Sequence, residues 1–278
     1  MQDDYEILDS GDGRKLERFG KFVIARPCSQ ALWRQTNPGL WQKADASFDR
    51  EKGNNWQGRS ALPKEWTINT SGLKFILSGT DFGHLGIFPE QRAQWKWIRE
   101  TVSAAKRPVR VLNLFAYSGG STLAAAQGGA EVCHLDASRG MVDWARRNAQ
   151  ANFLQNSPIR WITDDAHKFM KREIKRVRKY DAVILDPPTF GRGASGEMYK
   201  IERDLHVTFE LLEGLLSETP LFVLFSSHTP GLTCAVARNL LGQKFPKAAI
   251  DVGEMLLEGR QGAMPVPSGI YARAVFGK

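Results

Sequence analysis

The chain has 278 residues, of which 42% are hydrophobic and 24% charged, enough for one large core or for one core with a small appendage. No apolar run of about 18 residues occurs, which argues against a membrane-spanning helix, and the acidic start Met1-Gln2-Asp3-Asp4-Tyr5-Glu6 reads as neither a signal nor a transit peptide. The net charge of +8 and pI near 9.5 favour a polyanionic partner, and three scattered cysteines, Cys28, Cys133 and Cys234, fit a reducing compartment, with a cytoplasmic location expected.

Residues 1–82 read as a small β-rich region. Phe22-Val23-Ile24-Ala25 and Leu73-Lys74-Phe75-Ile76-Leu77 are strand-like, and the polar stretch between them carries Trp33, Trp41 and Trp56. A second domain is expected over 83–278. Its first helix starts at Pro89-Glu90-Gln91, with proline at the helix start and an acid in the first turn, and carries Trp95 and Ile98.

Strands and helices then alternate. Strands are expected at 109–115, 130–135, 159–163, 181–185 and 221–225, and helices at 119–127, 138–153, 166–178 and 204–216. Apolar strands separated by helices imply an α/β fold, a doubly wound and mostly parallel sheet covered on both faces. Ligands of such sheets bind at the carboxyl ends of the strands, near the switch point in strand order.

Four strand ends therefore define the expected site. Phe115-Ala116-Tyr117-Ser118-Gly119-Gly120 follows the first strand and opens a helix, where glycine lets the backbone approach a ligand closely. It is not the GxGxxG dinucleotide fingerprint. Asp136 ends the second strand, where an acid can accept the hydroxyls of a ribose, and Asp165-Ala166 follows the third. Asp136 and Asp165 can equally be helix N-caps. The fourth strand runs into Asp186-Pro187-Pro188-Thr189-Phe190. Two prolines stop the strand and remove two donors, which leaves carbonyls and the carboxylate as an acceptor ledge, and Phe190 offers a face on which a planar base can stack.

With these motifs in place, the chain resembles the class I S-adenosylmethionine-dependent methyltransferases. Asn113-Leu114-Phe115-Ala116-Tyr117-Ser118-Gly119-Gly120 together with the Asp186–Phe190 motif is similar to the large-subunit ribosomal RNA methyltransferase group, and Gly86-Ile87-Phe88-Pro89-Glu90-Gln91-Arg92 is similar to that group's segment ahead of the first strand. The resemblance covers about residues 83–276. It implies a Rossmann-like seven-stranded sheet, S-adenosyl-L-methionine as cofactor and ribosomal RNA as partner. By the same resemblance, Phe115, Tyr117 and Gly119 line the methionine portion, Asp136 holds the ribose, and Asp165 with Ala166 meets the adenine. Phe88, Gln91, Asn113, Ser118, Gly120, Ala137, Ser138 and Asp186 complete the implied cofactor set. Most class I enzymes carry glycines where Phe115 and Tyr117 stand and an acid where Asn113 stands, a departure that the ribosomal RNA group shares.

The expected catalytic ledge is Asp186, Pro187, Pro188 and Phe190, with Thr189, Arg192, Lys200 and Arg203 meeting RNA. The glycine-rich loop 191–196 between them is expected to order over a substrate. A ring nitrogen attacks with its own lone pair, and an exocyclic amine can do so if Asp186 and a ledge carbonyl accept its hydrogens. Carbon 5 of a pyrimidine needs a covalent cysteine adduct. Relatives that methylate cytosine carbon carry that cysteine at about the Ser227 position, so transfer to nitrogen is expected. No Cys or His spacing suits a metal. His228 is a loop histidine or a base, and the basic run Lys168 to Lys179 is a solvated face or an RNA contact. A protein amide methyltransferase, a nicotinamide-dependent oxidoreductase on a similar sheet, and a non-catalytic RNA-binding protein are the alternatives; fold alone does not decide among them.

Overall fold

The computed structural model describes residues 3–50, 53–193, 196, 198–259 and 262–277. The chain divides into two compact units, Met1–Arg92 with Leu256–Ser268, and Ala93–Met255 with Gly269–Lys278.

The first unit is β-rich. Strands β1 (Tyr5–Gly11), β2 (Arg14–Phe19), β3 (Phe22–Pro27), β4 (Ala46–Asp49) and β5 (Asn55–Gln57) form a five-stranded sheet in that order, with the short helix α1 (Pro38–Trp41) between β3 and β4. A separate hairpin pairs β6 (Trp66–Thr70) with β7 (Leu73–Leu77). The tight turns follow from residue type: Asp12-Gly13 and Ser71-Gly72 all have positive φ, as a two-residue hairpin with the right twist requires. Leu16, Phe19, Ile24, Phe48, Phe75 and Leu77 are fully buried. The loop between β3 and β4 is pegged by one carboxylate. Asp9 accepts hydrogen bonds from the Thr36 and Asn37 amides at 3.2 and 2.9 Å and from the Trp41 indole at 2.8 Å. Trp33 donates to the Ser10 carbonyl and Trp56 to the Thr80 carbonyl, so all three tryptophans of the polar stretch anchor chain through their N–H groups.

The second unit holds a seven-stranded sheet in the order β10-β9-β8-β11-β14-β16-β15. Helix α2 (Arg92–Ala104), entered through a 3-10 turn at Pro89–Gln91, precedes β8 (Arg110–Leu114), α3 (Gly120–Gln127), β9 (Glu131–Asp136), α4 (Arg139–Ala151), β10 (Ile159–Thr163), α5 (Ala166–Lys175) and β11 (Ala182–Leu185). A hairpin of β12 (Phe190–Arg192) and β13 (Met198–Lys200) leads into α6 (Ile201–Glu213), β14 (Phe222–Ser227), α7 (Cys234–Lys244), β15 (Ala249–Leu257) and β16 (Val266–Val275). Strands β10, β9, β8, β11 and β14 run parallel, and β16 is antiparallel to β14. Strand order reverses between β8 and β11. All four residues of β11 are buried, as expected of a strand covered on both faces. Trp95 and Ile98 of α2 are buried, as the sequence pattern indicates. No helix among the described residues is long and apolar enough to cross a membrane.

Candidate active site

The site begins where β8 ends. Leu114 pairs with Leu185 of β11 on one side and with Leu135 of β9 on the other, so Phe115, Asp136 and Asp186, each one residue further on, come out along one edge of the sheet. On the far side of β9, Thr163 pairs with Asp136 and the Asp164 amide donates to the Asp136 carbonyl at 3.1 Å. The register alone brings the four strand ends together.

The loop after β8 is sharply bent. Phe115, Tyr117 and Gly119 have φ of +55°, +50° and +94°, so two bulky residues hold the left-handed conformation at the positions where most class I enzymes carry glycine. Such a conformation costs a non-glycine residue about 1–2 kcal/mol, and the surroundings enforce it. The Ala116 amide donates to the Leu135 carbonyl at 3.0 Å, the Gly119 amide to the Ala116 carbonyl at 3.0 Å, and the buried Asn148 amide group to the Ser118 carbonyl at 2.9 Å. The Tyr117 amide reaches Asp136 Oδ2 at 2.9 Å, which ties the loop to the end of β9. Gly120 opens α3 under Trp95, and a Cβ there would lie 2.6 Å from the indole.

Asn113 lies behind this loop. It is 3% exposed, and its amide donates to Thr122 Oγ1 at 2.9 Å, which is also 2.9 Å from His134 Nδ1. The Asn113 side chain therefore holds the first turn of α3 to the sheet. Burial lowers the His134 pKa to about 3, so this chain of polar groups is neutral at physiological pH.

Asp136 accepts the Tyr117 and Ser138 amides on its two oxygens, which leaves further acceptor capacity on each. Burial raises its pKa while these two amides pull it back. The Ser138 bond closes the turn through Ala137, and Ser138 itself caps α4. Asp165 is the N-cap of α5, accepting the Lys168 amide at 2.9 Å, and Ala166 is the first residue of that helix. Of the two acids weighed as caps, one is a cap and the other closes the turn before one.

Asp186 follows β11, with Pro187 buried behind it and Pro188, Thr189 and Phe190 exposed. Its Oδ1 lies 3.5 Å from His228 Nδ1 beyond the end of β14, and Thr189 Oγ1 is 2.8 Å from Thr229 Oγ1. The ends of β11 and β14 thus share one polar edge. The segment expected as a flexible loop is partly a β-hairpin: Phe190, Gly191 and Arg192 pair with Lys200, Tyr199 and Met198, while Ala194 and Ser195 lie outside the described residues. Arg192 and Lys200 are exposed on this hairpin. Arg203 is spent internally, on Asp204 at 2.7 Å and on the Met198 carbonyl. Phe88 and Gln91 lie in the first unit, at the 3-10 turn before α2.

One residue that the sequence did not single out joins these parts. The Tyr199 ring is 5.1 Å from Phe115 and 5.8 Å from His167, and burial pushes its hydroxyl up to about 12. It binds the hairpin after the proline ledge to the loop after β8. Its only signal in sequence is a single aromatic in a three-residue strand.

A loop with three left-handed residues, a backbone-tethered carboxylate at the next strand end and an acceptor ledge across the switch point lie along one edge of the sheet. The model of the S-adenosylmethionine-dependent methyltransferase family matches residues 44–219, well over half of the chain. The chain belongs to the S-adenosylmethionine-dependent methyltransferase family. It is similar over nearly its whole length to a solved S-adenosylmethionine-dependent methyltransferase from Agrobacterium tumefaciens, with 35% identity, a TM-score of 0.93, and coverage of 99% of this chain and 91% of that one. Among curated proteins it is similar to ribosomal RNA large subunit methyltransferase K/L of Shewanella frigidimarina, 32% identical over 179 residues that make up 60% of this chain and 23% of the relative. Ribosomal RNA large subunit methyltransferase I of Escherichia coli is 26% identical over 303 aligned positions, 98% of this chain and 73% of the relative. The chain spans less than a third of the length of the first curated relatives it matches.

The cofactor of this methyltransferase family is S-adenosylmethionine, and the residues present fit it. The acid at the end of β9 keeps lone pairs for a diol, the loop after β8 lets backbone come close, and among the described residues no group of three His, Cys, Asp or Glu could hold a metal instead.

Proposed function

We propose that this chain transfers a methyl group from S-adenosyl-L-methionine to a nitrogen of an RNA base, with large-subunit ribosomal RNA as the acceptor. The observation that carries this reading is the ledge Asp186-Pro187-Pro188-Thr189-Phe190 at the switch point. It sets a carboxylate, carbonyls without competing donors and a half-exposed aromatic ring side by side at one strand end. The similarity to ribosomal RNA large subunit methyltransferases supports RNA as the acceptor.

When bound, the cofactor supplies an electrophilic methyl on sulfonium sulfur. Phe115, Tyr117, Ser118, Gly119 and Gly120 would hold its methionine end, Asp136 with Ala137 and Ser138 its ribose, and Asp165 with Ala166 its adenine, while Asn113 braces the loop. Phe190 stacks the acceptor base. Asp186 and the Pro187 carbonyl accept the hydrogens of an amine, which aims its lone pair at the methyl and gives its proton a place to go; the protein supplies chiefly orientation and a dry pocket. Thr189, Arg192 and Lys200 would flank the RNA, with Arg203 holding the hairpin through Asp204 and the Met198 carbonyl. In this reading residues 83–278 are the cofactor-binding domain, 1–82 are an appended β-rich region, and the chain works in the cytoplasm.

Transfer to nitrogen is favoured by the thiols. Ser227 stands where carbon-methylating relatives carry the nucleophilic cysteine, is 1% exposed, and accepts the Thr229 amide. Cys133 is buried within β9, and burial pushes its thiol up to about 11, which leaves no thiolate for an adduct. The test is incubation of the purified protein with methyl-labelled S-adenosylmethionine and protein-free large-subunit ribosomal RNA, followed by nucleoside mass spectrometry. An N-methylated nucleoside is expected. Labelled 5-methylcytosine, or label entering only protein, would overturn the proposal.

A further inference from the structure

The first unit contains a cavity of about 110 Å³ whose lining includes Phe88 of the implied cofactor set and none of the other residues assigned above. A single water needs on the order of 10–15 Å³ by the same measure, so the cavity has room for a planar ring. We propose that it is a nucleotide-binding site, taking one unpaired nucleotide of the RNA away from the methylated base; the proposal rests on the RNA reading given above.

The wall of the cavity is built to hold an aromatic at its mouth. Residues 80–83 form a tight turn in which the Gly83 amide donates to the Thr80 carbonyl at 3.1 Å, and Thr80 Oγ1 contacts the His84 amide at 3.1 Å and the His84 carbonyl at 2.9 Å. Gly83 has φ of +78°, and a Cβ there would lie 2.3 Å from Cδ1 of the Phe48 ring. Only glycine lets the turn sit this close. The consequence is that Phe82 stands at the rim with 68% of its surface exposed on a turn tied down at both ends. An exposed phenylalanine on a fixed turn costs little ordering when a base stacks on it, and stacking accepts every base because each has a π-face.

The charges around the cavity suit the phosphate of such a nucleotide. Lys15, Arg26 and Arg50 line it, as does Glu90. Behind them the buried Glu17 pairs with Arg26 at 2.7 Å and with Lys15 at 3.3 Å, and Arg26 also donates to the Gly83 carbonyl at 3.2 Å. Among these described residues the two carboxylates offset two of the three cations, and Arg50 at the exposed edge is the group outside the Glu17 network. Arg50 attracts a phosphate weakly, and Phe82 supplies the preference for a nucleotide over another anion.

The test measures fluorescence anisotropy of a short labelled single-stranded RNA of mixed sequence across a salt series. Phe82→Ala is expected to weaken binding on the order of tenfold with an unchanged salt slope, because stacking displaces no counterions. Arg50→Ala is expected to reduce that slope by about 1. Both side chains are exposed, so folding is preserved, and calorimetry with S-adenosyl-L-methionine should give wild-type affinity for both variants. If wild type binds the RNA and both variants bind it equally well, the cavity is not an RNA site and the RNA reading stands. If wild type binds no RNA at low salt, both fall together. Lost cofactor affinity in either variant would assign the cavity to the cofactor and overturn the proposal.

Discussion

Replacing Asp186 with alanine lowers the rate of methyl transfer about 100-fold and leaves the melting temperature within a few degrees of wild type. The size follows from what the residue would do. It is the first residue beyond β11, its side chain is about a quarter exposed, and the buried Pro187 fixes it against the sheet. An acceptor nitrogen whose hydrogens lose that partner turns away from the in-line approach, and a misplacement of about 1 Å costs on the order of 100-fold. Stability is spared because the sheet pairing stops at Leu185. Single-turnover kinetics at saturating cofactor should place the loss in the chemical step. An unchanged rate would remove Asp186 from the chemistry, and a loss confined to KM for the cofactor would make it a cofactor ligand alone. His228→Ala should cost less than Asp186→Ala, since at 3.5 Å it acts through Asp186 and a nitrogen lone pair needs no base.

The second large effect is on stability and sits in the first unit. Glu17→Gln is expected to destabilise the protein by about 3–5 kcal/mol, because it leaves the Arg26 guanidinium buried without its partner. Glu17 is fully buried and receives Arg26 on both oxygens, at 2.7 and 2.9 Å, and the Tyr5 hydroxyl at 2.9 Å. Burial alone would raise its pKa, yet the Arg26 and Lys15 charges with these hydrogen bonds bring it down to about 2 from 4.5. A carboxyl whose pKa is lower in the folded state than in the unfolded chain contributes stability that is full above about 4.5 and lost as pH falls toward 2, worth about 3 kcal/mol. Urea denaturation between pH 7 and pH 2 should show this loss in wild type, and Glu17→Gln should flatten it. A variant with wild-type stability at pH 7 would show that the network contributes nothing net.

Much of the second unit is legible in the sequence because its central strands β8, β11 and β14 are buried and read as mostly apolar runs. Residues 159–163 form β10 as expected, and the other four strands shift by a residue or two at their ends. Asp186 and its prolines stand out because they interrupt such a run. The hairpin after the ledge was hidden: its strands are three residues each, half exposed, and too short to show alternation. Tyr199, which ties that hairpin to Phe115, had no pattern to belong to. The supports of the loop after β8 were equally silent. Thr122, His134 and Asn148 are polar residues at core positions, where only partners distant in sequence explain them. In the first unit the pegging of residues 36–41 by Asp9 depends on contacts about thirty positions apart in sequence.

The strained conformations of Phe115 and Tyr117 join sequence to site. Glycine would adopt those angles without cost, so aromatic residues there carry strain that the Tyr117–Asp136 bond and the Phe115–Tyr199 contact help to hold. Strain of this kind persists where the surroundings fix it and concentrates at binding sites.

The central claim is that the strand ends at Phe115, Asp136 and Asp186 hold S-adenosyl-L-methionine, with Asp136 on the ribose. Isothermal titration calorimetry of the cofactor against wild type and Asp136→Ala tests it most directly. One binding site in wild type, weakened on the order of tenfold or more by the substitution, is the expected result, since a hydrogen bond to a charged acceptor is lost. Equal affinity in the two proteins would contradict the assignment and move the cofactor away from this edge of the sheet.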